Sequence, residues 1–317
     1  MPGGAELDAA VADLRTRFAG QPARPLDFAV FGVPRSGTTA VARYLNAHAG
    51  VICLHERFDP ELKHAGLVFP DALFDAPWGG EANRKRNLAR FIGGKQPPIR
   101  LWGAKTPRYY LRLPRVMAGI PSGRAVFCWR RPEEVAQSYT DRALNPNDHW
   151  RPQLRGLFGI LEAPVCIARM LATEGSFLTV PHSATKRDQA GTAAAVLDFL
   201  APGERFEPEE AGFAEADAIG AKRLGRARPP LEAVEAEAAR MIDADRIHAI
   251  LDAPTPRPFA EVSAAARDWL MDLPPDLVRR GAEMAGAYGP GVAAFARDNW
   301  AAQVRPAWQD ARRALAG

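Results

Sequence analysis

Gly32-Val33-Pro34-Arg35-Ser36-Gly37-Thr38-Thr39 is the stretch on which the fold class turns. Before it lies a short apolar run, residues 27–32, ending in glycine, which reads as a buried strand. Behind it Val41, Tyr44, Leu45 and His48 recur at helical spacing, and Gly50 stands where a helix wants to end. Strand, glycine loop and helix in that order, with the spacing G-x-x-x-x-G-x-[ST], describe a phosphate loop of the Walker A kind. Successive backbone N–H groups and a helix N-terminus converge there on one spot and favour an anion. Thr38 occupies the position where Walker A loops carry lysine, and a positive side chain comes earlier instead, at Arg35. That exchange argues against hydrolysis of a nucleoside triphosphate and for a ligand with a single 5'-phosphate-like group. Pro34 stiffens the loop, and Ser36, Thr38 and Thr39 add hydroxyl donors suited to an oxyanion.

Outward from the loop the pattern repeats. Residues 51–54, 99–103 and 124–129 read as further strands, each followed by a charged or proline-punctuated segment and then helical periodicity. A fifth strand is expected at 177–180 and a helix at 192–200, ending at Pro202. Alternation of this kind predicts an α/β, three-layer, P-loop-like fold with a parallel sheet flanked by helices. From Leu231 the chain turns alanine-rich with helical spacing and proline-broken connections near 254–258 and 274–275. We therefore expect an α/β core over residues 1–228 and a helical C-terminal extension over 229–317, packed on that core rather than independent of it. Residues 222–230 form a basic Gly/Pro segment between the two. Residues 60–98, rich in Gly, Pro and charge, read as an insertion of loops and short helices on the ligand side of the sheet.

Composition narrows the function. With 47% hydrophobic and 25% charged residues among 317, the chain is an ordinary globular protein. A net charge of +4 fits an anionic ligand but not the dense basic stripe of a nucleic-acid binder. The N-terminal stretch carries Glu6 and Asp8 and has no apolar core of a signal peptide, and no later run suits a bilayer span. Cys53, Cys128 and Cys166 are few and odd in number, which points to a reducing, cytoplasmic setting. No Cys or His pair has metal-ligand spacing, so no metal is expected.

A second chemical element follows the fourth strand: Arg130-Arg131-Pro132-Glu133-Glu134-Val135-Ala136-Gln137-Ser138-Tyr139. Pro132 suits the first turn of a helix, on which Val135 and Tyr139 share an apolar face. Arg130 precedes that helix and Ser138 lies on it, so a guanidinium fork and a hydroxyl can converge on one phosphate. Taken alone, an Arg-Pro step after a strand is also a common βα turn. Both elements sit at the C-terminal ends of expected parallel strands, where open α/β sheets bind ligands.

With both segments in view, the chain resembles the sulfotransferases that use 3'-phosphoadenosine 5'-phosphosulfate (PAPS). Their 5'-phosphosulfate loop reads P-[RK]-S-G-T-[TS] and their 3'-phosphate segment R-x-P-x-x-x-x-x-S; Arg130 and Ser138 take the matching positions of the latter. The resemblance spans residues 27–200, loosely at its end, where Val196-Leu197-Asp198-Phe199-Leu200 is similar to a late family helix. It implies that Pro34, Arg35, Ser36, Gly37, Thr38 and Thr39 hold the 5' end of PAPS, and that Arg130 and Ser138 hold its 3'-phosphate. A later basic loop of the family also touches the 3'-phosphate, and Lys222, Arg223 and Arg226 are the candidates, with a solvated linker as the other reading. The family's base follows the second strand, where Glu56 is the first choice and His55 its rival. Lys105, in a segment resembling G-x-K-[ST]-P, would stabilise charge on the transferred group or orient Glu56; otherwise it is a lysine snorkelling from a turn. The product would be adenosine 3',5'-bisphosphate. The acceptor hydroxyl, on a carbohydrate, a lipid or a small metabolite, stays open. Trp78, Trp102, Trp129, Trp150, Phe58 and Tyr110 either line its pocket or build core. Two other classes share the loop: a P-loop phosphotransferase, which would want lysine at Thr38, and a non-catalytic nucleotide-binding module.

Overall fold

One sheet organises the chain, in the order β2-β3-β1-β4-β5-β6. Its strands are β1 (Phe28–Phe31), β2 (Val51–His55), β3 (Leu101–Lys105), β4 (Arg124–Trp129), β5 (Ser176–Pro181) and β6 (Arg257–Pro258). The first five run parallel, and β6 pairs antiparallel with β5 at Leu178 and Thr179. The computed structural model describes residues 4–55, 69, 70, 74, 88, 92–208 and 229–316. Around the sheet lie α1 (Gly4–Phe18), α2 (Thr38–Asn46), α3 (Leu113–Ala118), α4 (Pro132–Ala143), α5 (Gly156–Leu171), α6 (His182–Arg187) and α7 (Gln189–Leu200). The C-terminal part contributes α8 (Ala233–Met241), α9 (Ala244–Leu251), α10 (Ser263–Met271), α11 (Leu277–Met284), α12 (Pro290–Phe295) and α13 (Ala301–Ala316).

Side-chain alternation along the strands makes the three layers. On β4, Val126 and Cys128 point to one face, where Val41 and Leu45 of α2 and Val196, Leu197 and Leu200 of α7 cover them. Phe127 and Trp129 point to the other, into a larger core shared with α1, α3, α4 and α5. Gly103 on β3 stands opposite Phe28 on β1, and a Cβ there would lie 2.5 Å from the Phe28 carbonyl oxygen and 2.7 Å from its ring.

Helix α5, GLFGILEAPVCIARML, is buried from Gly156 to Met170 and therefore needs partners on every side. The helical extension supplies them: α8, α10, α11 and α13 all pack on α5. Glu162 in its middle is fully buried and accepts from four side chains. These are Arg108 Nη2 (2.5 Å), Tyr110 (2.6 Å), Tyr139 (3.3 Å) and Trp300 Nε1 (3.2 Å). Glu235 of α8, also fully buried, accepts from Thr140 of α4 (2.7 Å) and from Tyr288 (2.8 Å). The extension is thus hydrogen-bonded into the core of the α/β part at two places.

Several expectations need correction. The third strand runs over Leu101–Lys105 and not 99–103, because the ladder with β2 starts at Val51↔Leu101 and continues to His55↔Lys105. Ile99 and Arg100 spend their N–H groups on Gln21 and on the Gly50 carbonyl. Lys105 is consequently the last strand residue, 1% exposed, and does not snorkel from a turn. The fifth strand is a residue longer at each end, and α7 begins at Gln189 because Asp188 caps it, accepting from Gly191 N at 2.8 Å. Helix α1 and strand β6 were not foreseen. Trp102, Trp129 and Tyr110 are core residues, while Trp150 is half-buried with its ring edge-on to Tyr139 at 4.8 Å. Phe58, Trp78, most of the 60–98 insertion and the 228/229 boundary lie outside the described residues.

Glu162→Ala strands the Arg108 guanidinium and two tyrosine hydroxyls in the core, so it is expected to lower unfolding stability by about 3 kcal/mol or more. Urea denaturation monitored by tryptophan fluorescence reads this directly; a variant within experimental error of the unaltered protein would show that the cluster is dispensable.

Candidate active site

The loop after β1 closes against β4 because Gly32 has no side chain. A Cβ there would sit 2.4 Å from the Cys128 carbonyl oxygen and 2.5 Å from Ser36 Oγ. Ser36 N donates to Val33 O at 3.0 Å, tightening the turn, and Arg35 is held at φ 74°, a left-handed conformation seldom adopted by non-glycine residues. Gly37, at φ 103°, leads into α2, whose first residue is the buried Thr38. Backbone of this kind gathers N–H groups at a helix N-terminus, the arrangement that favours an anion.

Strands β1 and β4 are neighbours whose connections depart in opposite directions, toward β2 and toward β5. Their C-terminal ends therefore form the crevice where open α/β sheets take ligands. The two segments singled out in the sequence meet there. Arg35 Nε donates to Ser138 Oγ at 3.0 Å, and Arg130 Nη1 donates to the Arg35 carbonyl at 3.2 Å. Arg130, 8% exposed, also donates from Nε to Glu134 at 2.8 Å. Ser138 is in place because Pro132 starts α4 and Val135 and Tyr139 bury its other face.

From the other side of β1, Lys105 Nζ donates to Thr39 Oγ1 at 3.1 Å. A buried ammonium is tolerated only opposite acceptors or negative charge, so this end of β3 is an electrostatic companion to the loop. Thr106 N to Val30 O and Gly32 N to Pro107 O, each 3.1 Å, lock the β3 turn onto the loop. His55 ends β2, half-buried and in register with Lys105. Pro34 is buried within the loop. Glu56, Lys222, Arg223 and Arg226 lie outside the described residues.

Three neighbours of the crevice were not singled out in the sequence. His182, the residue after β5, lies over the loop: a Cβ on Gly37 would be 3.1 Å from its Cδ2. The rule that ligands gather at strand C-termini would have found it, since it follows the fifth run. Glu134 bonds Arg130 at i, i+4 spacing. Arg142 donates to both Asp148 oxygens (2.7 and 2.5 Å) and holds that carboxyl below the usual carboxylate range, with the charge of Arg35 adding to the effect. Among the described residues no group of three or more His, Cys, Asp or Glu side chains is gathered for a metal ion, and no helix is long and apolar enough to cross a membrane.

Gly32→Ala is expected to force the loop off β4. Millimolar inorganic phosphate should raise the thermal midpoint of the unaltered protein and leave that of the variant where it was; an equal rise in both would disconnect the loop from anion binding.

The sheet order, the glycine-bounded loop and the Arg35–Ser138 contact together bring the two segments to one crevice on an α/β frame. No curated protein matches the chain. A family model does, the Sulfotransferase family, over residues 27–207. That interval is more than half of the chain and contains all five parallel strands and both phosphate-binding candidates, so the chain belongs to the sulfotransferase family.

Proposed function

We propose that this protein transfers a sulfuryl group from PAPS to an acceptor hydroxyl, with Glu56 as the base. The observation that carries this reading is the hydrogen bond from Arg35 to Ser138, which joins the expected 5'-phosphosulfate loop to the expected 3'-phosphate segment. A nucleotide phosphorylated at both positions needs two adjacent cradles, and neither ATP nor AMP would use the second.

The residues present fit such a donor. Ser36 Oγ is buried beside Gly32 with no hydrogen-bond partner among the described residues, a group that a phosphate or sulfate oxygen would satisfy. Pro34 to Thr39 with Arg35 would hold the 5' end, and Arg130 with Ser138 the 3'-phosphate. Lys222, Arg223 and Arg226 are candidates to add to the latter. When bound, PAPS supplies a sulfuryl group whose S–O bond to the 5'-phosphate breaks as the acceptor oxygen bonds to sulfur. Glu56, directly after β2, takes the acceptor's proton, and His55 is the alternative proton acceptor. Lys105, beside Thr39, offsets negative charge that builds on the transferred group, and preorganised charge of this kind carries much of the rate.

The cysteines have no part in this chemistry. All three are buried as free thiols, and burial pushes Cys53 up to about 12, out of the range of a nucleophilic thiolate. Free thiols also support a reducing, cytoplasmic setting. Residues 229–317 are read as an extension of the core and not a second domain, a reading supported by their bonds to Glu162 and Thr140.

Calorimetry without Mg²⁺ should show clear preference for adenosine 3',5'-bisphosphate over 5'-AMP and ADP. Ser138→Ala and Arg130→Ala should each weaken the bisphosphate by roughly 10- to 100-fold while leaving 5'-AMP almost untouched. Equal binding of ADP and the bisphosphate would overturn the reading. Once an acceptor is in hand, Glu56→Gln should cost about 10²- to 10⁴-fold in kcat with unchanged bisphosphate affinity. If His55→Gln shows that loss and Glu56→Gln does not, the base is His55.

A further inference from the structure

The C-terminal part returns to the crevice through α9, whose two ends meet residues beside the candidate site. At its start Asp245 pairs with Arg131, the chain neighbour of Arg130. At its end Asp252, the residue after the last turn, accepts from Ser183 Oγ at 2.5 Å. The first pair is exposed on both sides and holds little. The second is half-buried and grips the chain neighbour of His182.

His182 needs such a grip. It opens α6, a helix of six residues with no side-chain cap at its start, and so short a helix does not fix its own direction. Its ring nevertheless has a defined seat. A Cβ added to Gly37 would lie 3.1 Å from Cδ2 and 3.9 Å from Cγ, so the imidazole rests on the glycine through which the loop enters α2. The end of α9 is itself held. Arg257 of β6 donates to the Ile250 carbonyl, and β6 is paired with β5 at Leu178 and Thr179. The second oxygen of Asp252 stands 4.0 Å from His248 Nε2. A closed circuit results: from β5 across β6 to the end of α9, and through Asp252 back to Ser183, two residues beyond the end of β5. Helix α9 and strand β6 both lie past residue 207, where the family match ends.

We propose that the Asp252–Ser183 hydrogen bond is a positioning contact that seats His182 on Gly37 as one wall of the nucleotide site. Neither Ser183 nor Asp252 has to touch the ligand for this. A ring held there bounds the space before the N–H groups at the start of α2; a ring free to leave would admit water and weaken every anion contact behind it. The inference rests on the sulfuryl-transfer reading above for the identity of the ligand, and adds that residues outside the matched family interval set its affinity.

Calorimetry with adenosine 3',5'-bisphosphate on the full chain tests it. Ser183→Ala and Asp252→Ala should each weaken binding by roughly 3- to 10-fold. Asp252→Asn keeps an accepting oxygen and should stay within about twofold of the unaltered protein. His182→Ala should cost at least as much as Ser183→Ala, and Ser183→Ala added to His182→Ala should cost nothing further. A tie that served only the fold would lower affinity by the same factor with or without the His182 ring. If Asp252→Ala does not fold, Ser183→Ala, which removes a single hydroxyl, decides. Full affinity in Ser183→Ala or His182→Ala, an equal loss in both backgrounds, or an Asn variant as weak as the Ala variant overturns the positioning role alone. Failure of the unaltered protein to bind the bisphosphate overturns the transfer reading, and this one with it.

Discussion

A carboxylate with no access to water must be surrounded by donors, and Glu162 draws its four from different parts of the chain. Arg108 and Tyr110 come from the turn after β3, Tyr139 from α4, and Trp300 from the C-terminal helices. Two of those segments also adjoin residues of the candidate site: Lys105 is three residues before Arg108, and Ser138 is next to Tyr139. Satisfying one buried acid thereby helps to set the placement of these segments relative to one another. The surrounding helix α5 reinforces this, since burial on all sides leaves it no freedom to slide.

The candidate site is built the other way, from backbone rather than from a buried side chain. Gly32 lets the loop touch β4, and the left-handed turn at Arg35 sends its side chain to Ser138 while its carbonyl receives Arg130. A non-glycine residue at φ 74° costs energy, and such strain persists only where the surroundings over-determine it. Here two separate hydrogen bonds to one residue do so. Lys105 and Thr39 brace the opposite side of the same loop.

Much of this was legible from residue order. The glycine-bounded loop between β1 and α2 was visible because its signal is local: glycines at fixed spacing between an apolar run and a helical period. Arg130 and Ser138 were visible for the same reason, each tied to a strand end and a proline-started helix. Their meeting was inferable from the strand-end rule but its donor, Arg35, was not, because that bond joins distant segments. Polarity misplaced the third strand: Lys105 looked like a turn residue, and only the register with His55 shows that β3 continues through it. Glu162 and Glu235 were overlooked since an isolated acid in an apolar or alanine-rich helix gives no hint of its donors. Strand β6 was invisible at two residues with a proline, too short for any periodicity.

That small strand has a consequence for how the molecule meets its own copies. The outer side of β5 would otherwise offer a row of unpaired amides and carbonyls, a template on which another chain could add. Strand β6 occupies Leu178 and Thr179, then stops at Pro258, which has no N–H to give. Arg257 is turned back to the Ile250 carbonyl, so a charged side chain is pinned at the rim. At this point the sheet ends in a two-residue strand closed by a proline, a poor template on which a further strand could add.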